Sequence, residues 1–145
     1  MYLPNIEQTQ VFGGNGGGVY NAKSQIEFNT NFRLSKIKVR SGDLIDSIQF
    51  VFNDGVQQHE LPAMGGTGGK PGEFVLSQGE TIQKIIVKHS KFLSGLQFVT
   101  NTGRTSQMFG KGAGQRSEVV INGNLLAYGG RAGALIDAIQ FYYWN

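Results

Sequence analysis

The feature that most constrains this chain is a ten-residue segment that occurs twice. Residues 41–50 read SGDLIDSIQF and residues 132–141 read AGALIDAIQF, with the glycine, the second aspartate of the first copy and the final Ile-Gln-Phe all in register. A third, divergent copy, FLSGLQF, occupies residues 92–98 and has Ser94 where the other two have that aspartate. The three equivalent positions are 48 and 43 residues apart. Such regular spacing predicts an internal repeat, each copy of which is one supersecondary unit.

A glycine-rich segment also occurs three times and alternates with the first motif along the chain. Residues 12–18 read FGGNGGG, residues 64–70 read MGGTGGK and residues 109–115 read FGKGAGQ. The two series have three members each, at similar spacing, and they interleave. We therefore predict a threefold repeat in which each unit contributes one glycine loop and one loop bearing the aspartate or the serine.

The periodicity inside each repeat is that of β-strands. Side chains alternate in a strand, so Asp46, Ile48, Phe50 and Phe52 are predicted to share one face, and the copy that begins at Asp137 repeats this pattern. Further segments with strand-like composition are residues 19–28, 36–40, 83–89 and 118–123. Three repeats of about four short strands predict an all-β domain of roughly twelve strands, whose threefold arrangement closes on itself and hides its edges.

Composition places the chain among single-domain globular proteins. It has 145 residues, of which 22 are glycine, and 39% are hydrophobic; this length can bury a core, and many glycines are typical of tight turns. There is no cysteine, so no disulfide or thiolate chemistry is expected. No segment approaches the roughly 20 apolar residues of a spanning helix. The first ten residues, MYLPNIEQTQ, predict no secretory signal, and localisation is left open.

Taken together, the motifs resemble those of the jacalin-related lectins. They are the GG-x-GG loop near the start, the G-x-x-x-D loops before strands that end in an aromatic residue, and the C-terminal IDAIQFYY. The recurrence of both motifs is most similar to the mannose-binding griffithsin-like and banana-lectin-like members. The resemblance spans nearly the whole chain and implies one lectin domain over residues 1–145. It implies a β-prism I fold of three four-stranded Greek-key sheets with internal pseudo-threefold symmetry, and carbohydrate binding at one end.

The same resemblance implies where the sugar would bind. In this family a G-x-x-x-D loop supplies a carboxylate and backbone amides, and the last glycine of a glycine loop offers a backbone N–H. Carried over to this sequence, the first site combines Gly17 with Gly133, Ala134, Leu135 and Asp137. The second site combines Gly69 with Gly42, Asp43, Leu44 and Asp46. The third pair, Ser90 to Ser94 with Gly114, lacks the opening glycine and the acid, so we expect two competent sites and one relic.

Elementary chemistry supports the two aspartates independently. A pyranose presents adjacent hydroxyls, and an ionised carboxylate can accept hydrogen bonds from two of them, each contributing about 1.5–3 kcal/mol. Glycine lets the opposing backbone approach a ligand without a Cβ in the way. The alternative is that Asp46 and Asp137 only cap turns by accepting hydrogen bonds from nearby backbone amides. Two copies that face two glycine loops favour binding.

Other candidate chemistry has little support in the sequence. The glycine loops resemble phosphate-binding loops, but no helix is predicted after them, and GGTGGKP lacks the hydroxyl residue that follows lysine in such loops. His59 and His89 are predicted to be surface residues, so no metal site is expected. No Ser–His–Asp set is nominated, and neither catalysis nor a cofactor is expected. Tyr142, Tyr143 and Trp144 could stack on a sugar, but packing at a strand end is the favoured interpretation.

A second function, of a different class, is suggested by a basic strand face. Strand alternation places Lys36, Lys38 and Arg40 on one side. Three further cations could add to this face, namely Lys84, Lys88 and Lys91. The favoured interpretation is a solvated edge that discourages association between sheets. The alternative is a module that binds sulfated glycans or an anionic membrane surface by charge, and such binding would collapse in salt. A net charge of +3 is too small by itself to indicate a nucleic-acid partner.

The resemblance implies mannose or glucose as the sugar class. Galactose-binding members carry a free amino terminus in the site, whereas this chain begins well upstream of its first glycine loop. Leu44 and Leu135 stand where griffithsin-like loops carry tyrosine, which lowers the expected affinity of a site rather than changing its class. The expected partners are mannose-containing glycans or glycoproteins, bound through several weak sites. Family members commonly dimerise, so a homodimer is an expected state, although the sequence does not indicate which face would form it.

Overall fold

A computed structural model describes residues 6–21 and 32–144, which form thirteen β-strands. The strands are β1 (Ile6–Gln8), β2 (Phe12–Gly13), β3 (Gly18–Asn21), β4 (Arg33–Ser41), β5 (Ile45–Asn53), β6 (Gln58–Glu60), β7 (Met64–Gly65), β8 (Lys70–Val75), β9 (Ile82–His89), β10 (Leu93–Thr100), β11 (Gln115–Val120), β12 (Asn124–Ala132) and β13 (Ile136–Trp144). The all-β prediction is confirmed. Of the strand predicted over residues 19–28, the first three residues belong to β3 and the rest lie outside the described residues. Within the two described ranges no helix is long and apolar enough to cross a bilayer.

The strands pair into three antiparallel sheets. Sheet 1 has the order β1-β13-β12-β3, sheet 2 the order β6-β5-β4-β8, and sheet 3 the order β10-β9-β11. The short β2 and β7 add to β13 and β5, and in sheet 3 isolated bridges at Phe109 and Thr105 take the corresponding places. In sheet 2 three consecutive strands are followed by a fourth, β8, that returns beside the first, which is the Greek-key order. Sheet 1 has the same order across the two ends of the chain, because β12 and β13 pair with β1 and β3.

The inner strands of the three sheets meet in a common core. β5, β10 and β13 contact one another, and each contributes the same three fully buried positions. In layers, these positions are Ile45, Leu93 and Ile136; Ile48, Leu96 and Ile139; and Phe50, Phe98 and Phe141. Truncating one of these phenylalanines to alanine is expected to cost about 3–5 kcal/mol. The isoleucine and phenylalanine of the repeated Ile-Gln-Phe therefore hold the sheets together.

The glutamine of the repeated motif has a separate role. Its side-chain amide donates, in every repeat, to a backbone carbonyl of the segment that runs beside the inner strand. The three bonds are Gln49 to Leu61 (2.9 Å), Gln97 to Ser106 (3.0 Å) and Gln140 to Thr9 (2.8 Å). Because this bond satisfies a carbonyl that the short outer strand leaves open, the motif is repeated for packing and hydrogen bonding as well as for its acid.

Candidate functional site

Three loops connect the central strands at one end of the sheets, and all three share one backbone geometry. We call residues 42–46 and 133–137 the acid loops and residues 90–94 the serine loop. In each, the first residue donates its N–H to the carbonyl two residues later over 2.9–3.0 Å: Gly42 to Leu44, Gly133 to Leu135 and Ser90 to Phe92. The sequence repeat is therefore also a repeat of hydrogen bonding, and it includes the divergent copy.

A β-bulge at the end of each loop sets the direction of the side chain that follows. The pairing register between β4 and β5 skips Asp46, and the registers of the other two sheets skip Asp137 and Ser94 in the same way. The strict alternation that we predicted through Asp46 is interrupted here, since Ile45 and Ile48 are three residues apart and yet both are fully buried. A bulge re-aims a side chain, and this one brings the carboxylate against the neighbouring glycine loop.

The glycine loop of residues 12–18 lies directly against Asp137. Gly14 donates its N–H to the backbone carbonyl of Asp137 over 2.9 Å. A Cβ at Gly16 would lie 2.5 Å from Oδ2 of Asp137, and a Cβ at Gly17 would overlap Oδ1. Gly17 also has a φ of +69°, which residues with a side chain rarely adopt. Gly17 is therefore required by its φ and by the backbone of Ala132, 2.8 Å from such a Cβ, whereas a side chain at Gly16 would force the Asp137 carboxylate to shift.

Asp46 and the glycine loop of residues 64–70 repeat this arrangement. Gly66 donates its N–H to the carbonyl of Asp46 over 2.8 Å. A Cβ at Gly68 would lie 2.8 Å from Oδ2 of Asp46, and one at Gly69 would lie 2.6 Å from Oδ1. The φ of Gly69 is +71°. Both aspartates therefore face the glycine loops with which the sequence paired them.

Two arginines hold the glycine loops from the other side. Arg131 donates from Nε and Nη2 to the carbonyls of Gly16 and Gly17, both over 2.9 Å. Arg40 makes the same pair of bonds to the glycine loop beside Asp46, both over 3.0 Å. A planar guanidinium suits two neighbouring acceptors, so each arginine fixes the shape of one loop.

This arginine clamp was not predicted from the sequence. Arg40 was assigned to the cations of a basic strand face, and Arg131 was given no role. The available signal was the spelling R-x-G, which opens both acid-loop regions at residues 40–42 and 131–133. An arginine of that kind is recognisable only when both copies are compared, because a single arginine before a loop is an ordinary surface residue.

Neither of the two aspartate carboxylates is used by the protein itself. Among the described residues, no hydrogen bond or ion pair engages the side chain of Asp46 or Asp137. The turn-capping alternative requires hydrogen bonds from backbone amides to these oxygens, and residues 6–21 and 32–144 provide none. Asp137 is 6% exposed and Asp46 is half-buried. Polar groups with so little exposure are normally hydrogen-bonded, so these acceptors are available to a donor from outside.

Another buried carboxylate, Glu80, shows how this fold uses an acid structurally. Arg104 donates to it from Nη2 and Nε over 2.8 and 3.0 Å. The backbone N–H of Ser77 and the hydroxyl of Thr102 add bonds of 2.9 and 3.0 Å. These bonds, above all those from Arg104, hold the pKa of Glu80 well below its usual value. Glu80 has all its hydrogen bonds within the protein, whereas Asp137, which is similarly buried, has none.

The third pair of loops differs from the other two at each of these points. Ser94 is 3% exposed and its hydroxyl donates to the carbonyl of Ala113, so its polar group is used internally. Ala113 stands where the other glycine loops have Gly16 and Gly68, and Lys88 stands where the other repeats have their arginine. Since a Cβ at Gly16 or Gly68 would crowd an aspartate oxygen, Ala113 would crowd the carboxylate of an aspartate at position 94.

The loops form a closed ring of three pairs at one end of the sheets. Loop pair 1 is residues 12–18 with 133–137, loop pair 2 is 64–70 with 42–46, and loop pair 3 is 109–115 with 90–94. At each junction a glycine loop meets the acid or serine loop of another pair: Gly14 packs on Lys91, Gly66 packs on Ala134, and Lys111 donates its N–H to the carbonyl of Asp43 over 3.1 Å. The candidate sites are therefore immediate neighbours.

All ten residues that the sequence nominated lie in this ring. Six of them are exposed, namely Gly17, Gly42, Asp43, Gly69, Gly133 and Ala134. Leu44 and Leu135 are half-buried, and neither acid loop carries an aromatic ring. The surface available to a ligand therefore consists of backbone, aliphatic side chains and the carboxylates of Asp43, Asp46 and Asp137.

The basic strand face is not the free cationic strip that the sequence suggested. Three of its lysines lie beside carboxylates: Lys36 beside Glu73 (3.5 Å), Lys38 beside Glu60 (3.8 Å) and Lys84 beside Glu118 (3.8 Å). Its arginine is bonded to a glycine loop. The outer strands β6, β8 and β11 bring these acids beside the lysines, which one strand read by itself cannot reveal. The favoured interpretation of a solvated edge is wrong, because β4 and β9 each pair with a strand on both sides.

The histidines and the C-terminal aromatic residues are not among the ten nominated residues. Both histidines are half-buried rather than at the surface as predicted. His59 lies 2.8 Å from Asp54 and lowers the pKa of that carboxyl to about 2, and His89 lies 3.0 Å from the hydroxyl of Ser117. No cluster of three potential metal ligands occurs in the described ranges. Tyr142, Tyr143 and Trp144 end β13, at the opposite end of the strand from Asp137.

Relatives of known sequence share this organisation. The profile of the jacalin-like lectin domain matches residues 9–142. Horcolin of Hordeum vulgare is 31% identical over 140 residues, which is 90% of this chain and 92% of Horcolin. Griffithsin of Griffithsia sp. is 30% identical over 133 residues, which is 91% of this chain and 93% of griffithsin.

Solved structures agree with these relationships. Malaysian banana lectin matches 96% of this chain with 98% of its own, at a TM-score of 0.80 and 28% identity. A mannose-binding jacalin-related lectin from Ananas comosus matches 94% of this chain with 96% of its own, at a TM-score of 0.78 and 29% identity. The predicted β-prism I fold is confirmed. This chain belongs to the jacalin-like lectin family, a family of carbohydrate-binding domains.

Proposed function

We propose that loop pairs 1 and 2 each bind one sugar of the mannose or glucose class. The observation that carries the proposal is that the carboxylates of Asp46 and Asp137 face glycine loops and make no bond within the described protein. Each carboxylate would accept hydrogen bonds from two adjacent hydroxyls of a pyranose. Backbone N–H groups of the same loops would donate to the ring and hydroxyl oxygens, with Gly17 and Gly69 giving the ligand close access to the backbone.

The choice of mannose or glucose rests on the relatives. The lectin from Ananas comosus is mannose-binding, and it matches nearly the whole of this chain. Nothing in the ring of loops opposes that choice, because the acid loops offer aliphatic side chains rather than an aromatic platform. Loop pair 3 is excluded from the proposal, since the hydroxyl of Ser94 is bonded to Ala113.

Binding strength would come from the number of sites. A shallow site of a few hydrogen bonds is expected to hold a monosaccharide at about millimolar affinity, roughly −4 kcal/mol. Two such sites in one ring can gain about 10²–10⁴ in avidity when one glycan reaches both. The partners would then be branched mannose-containing glycans or clustered glycoproteins, and a homodimer would add further sites.

The sites are tested by removing one carboxylate at a time. Calorimetry with methyl α-mannoside is expected to give two sites per chain in the wild type, one in Asp46→Ala, one in Asp137→Ala and none in the double variant. Glu60→Gln removes a surface carboxylate of sheet 2 away from the ring and is expected to keep both sites. Two sites retained in Asp137→Ala, with the fold intact by circular dichroism, would refute the assignment.

Multivalency is tested with a branched oligomannose and its single arm. The wild type is expected to bind the branched ligand at least ten-fold more tightly than the arm, and Asp46→Ala is expected to lose that advantage. An equal affinity for both ligands in the wild type would rule out cooperation between the sites. If Asp46→Ala kept the full preference for the branched ligand, the second arm would bind at a place other than the Asp46 site.

A further inference from the structure

The three loop pairs differ in charge as well as in their central side chain. When the two residues before each acid or serine loop are included, loop pair 1 carries Arg131 and Asp137. Loop pair 2 carries two cations and two acids, namely Arg40, Lys70, Asp43 and Asp46. Loop pair 3 carries three cations and no acid, namely Lys88, Lys91 and Lys111. The formal charges are therefore 0, 0 and +3, with histidine taken as neutral.

The cations also differ in how they are used. Arg40 and Arg131 are each bonded to two loop carbonyls. In the part of the chain that the structure describes, no carboxylate lies within ion-pair distance of Lys88, Lys91 or Lys111. Lys91 and Lys111 are exposed, and Lys88 is half-buried. Asp43 of loop pair 2 adjoins Lys111: its carbonyl accepts a hydrogen bond from the backbone N–H of Lys111, and its side chain is exposed.

A groove lies between loop pair 2 and the first residues of loop pair 3. Its volume is about 660 Å³, and one wall is formed by Gly42, Gly69 and Lys70 of loop pair 2. The other wall is formed by Gln107, Phe109 and Gly110, which lead into loop pair 3. Pockets of this size hold small ligands, so the groove can accept a sugar unit linked to one that occupies the Asp46 site.

We propose that the groove and loop pair 3 bind an anionic substituent, a phosphate or sulfate monoester, carried on a glycan whose neutral sugar occupies the Asp46 site. The inference rests on the proposed function of that site and extends it to an acidic class of glycan. Ammonium groups are compact point charges that suit such anions without a fixed geometry. Because Lys91 and Lys111 are exposed, their contribution falls as salt screens them over about 8–10 Å. Loop pair 3 would then bind an anionic group, whereas loop pairs 1 and 2 would bind a neutral sugar.

The test compares one oligomannose in three forms: with a terminal phosphate monoester, with a sulfate monoester at the same position, and with neither. We expect the wild type to bind the phosphate form about ten-fold more tightly than the neutral form at 50 mM salt. The advantage should shrink to about two-fold at 500 mM. The affinity for the sulfate form should lie between those for the phosphate and neutral forms, because a phosphate monoester carries more negative charge at pH 7 than a sulfate monoester.

The matched variants are Lys91→Gln/Lys111→Gln and Lys38→Gln/Lys84→Gln, each of which removes two surface lysines. Lys91→Gln/Lys111→Gln is expected to abolish the higher affinity for the anionic forms and to leave the affinity for the neutral form unchanged. Lys38→Gln/Lys84→Gln is expected to leave all three affinities unchanged. An equal affinity for all three forms in the wild type, or an advantage that survives in the first variant, would overturn this inference. Failure of the neutral form to bind at all would instead overturn the proposed function, because the two readouts are separate.

Discussion

Loop pair 1 and loop pair 3 share their backbone hydrogen bonds but use the side chain at the bulge in opposite ways. In loop pair 1 the carboxylate of Asp137 lies against bare glycine and bonds to nothing in the described protein. In loop pair 3 the hydroxyl of Ser94 is bonded to the carbonyl of Ala113. The bulge and the turn are therefore properties of the fold, and the proposed capacity to bind sugar depends on the residues placed on them.

The comparison also shows that the differences come as a set. An aspartate at position 94 would meet the Cβ of Ala113, and a loop with Lys88 in place of an arginine cannot be held at two carbonyls by one planar group. The core beneath the loops is unaffected, since Leu93, Leu96 and Phe98 are as fully buried as their counterparts. A repeat can thus lose its acid without loss of the fold, because the acid makes no contribution to the core.

The largest effect is expected from placing the alanine of loop pair 3 into loop pair 1. In an Asp46→Ala background, where only one site reports, Gly16→Ala is expected to weaken mannoside binding about 100-fold, because the new Cβ would lie 2.5 Å from the Asp137 carboxylate. Calorimetry measures the loss. Gly18→Ala is the matched control, since its Cβ would come no closer than 3.9 Å to the carbonyl of Ala132. Unchanged binding in Gly16→Ala would show that the carboxylate can move without losing function.

The reverse exchange is expected to create a site. In an Asp46→Ala/Asp137→Ala background, Ser94→Asp with Ala113→Gly should restore one weak mannoside site, and Ser94→Asp alone should restore none. Sugar titration followed by NMR detects millimolar binding of this kind. Binding by the single Ser94→Asp variant would contradict the steric role given to Ala113.

Glu80 allows the internal use of a carboxylate to be measured. Glu80→Gln is expected to lower the free energy of unfolding at pH 7 by about 2 kcal/mol, because it replaces charge-assisted bonds from Arg104. The folded-state pKa of Glu80 lies below its ordinary value of 4.5. The stabilisation is therefore present above pH 4.5 and is lost as the pH falls through the folded-state pKa. Denaturant unfolding at pH 7 and pH 3 should show the gap between wild type and variant narrowing. If the difference in unfolding free energy between wild type and Glu80→Gln were the same at both pH values, the ionised Glu80 carboxylate would not be its source.

A smaller effect is expected from the arginine clamp. Arg131→Lys in the Asp46→Ala background should weaken mannoside binding about ten-fold, because lysine has one donor group in place of the two that hold Gly16 and Gly17. Unfolding by heat should change little. The control is Arg116→Lys, which alters an exposed arginine paired with Glu118 on β11. Equal affinities for the two variants would mean that the glycine loop keeps its shape without the clamp.

The sequence was informative where one residue type recurs at a fixed place in several repeats. The core positions followed from comparing copies, and the pairing of Asp46 and Asp137 with their glycine loops followed from the family resemblance. The bulge was not predicted because strict alternation assumes that every residue of a strand is paired, and a bulge adds one unpaired residue. The pairing of Lys36 and Lys38 escaped prediction because the acids come from other strands. The role of Ala113 escaped prediction because it depends on how close its Cβ would lie to a carboxylate at position 94. The sequence of one repeat does not give that distance.

The central claim is that two of the three loop pairs bind sugar and that the third does not. The most direct measurement is a crystal structure of the wild-type chain with methyl α-mannoside at a concentration well above the millimolar range. The account predicts one sugar on Asp46 with Gly69 and one on Asp137 with Gly17, and none beside Ser94 and Gly114. A well-occupied neutral sugar beside Ser94, or an empty loop at Asp137, would contradict it.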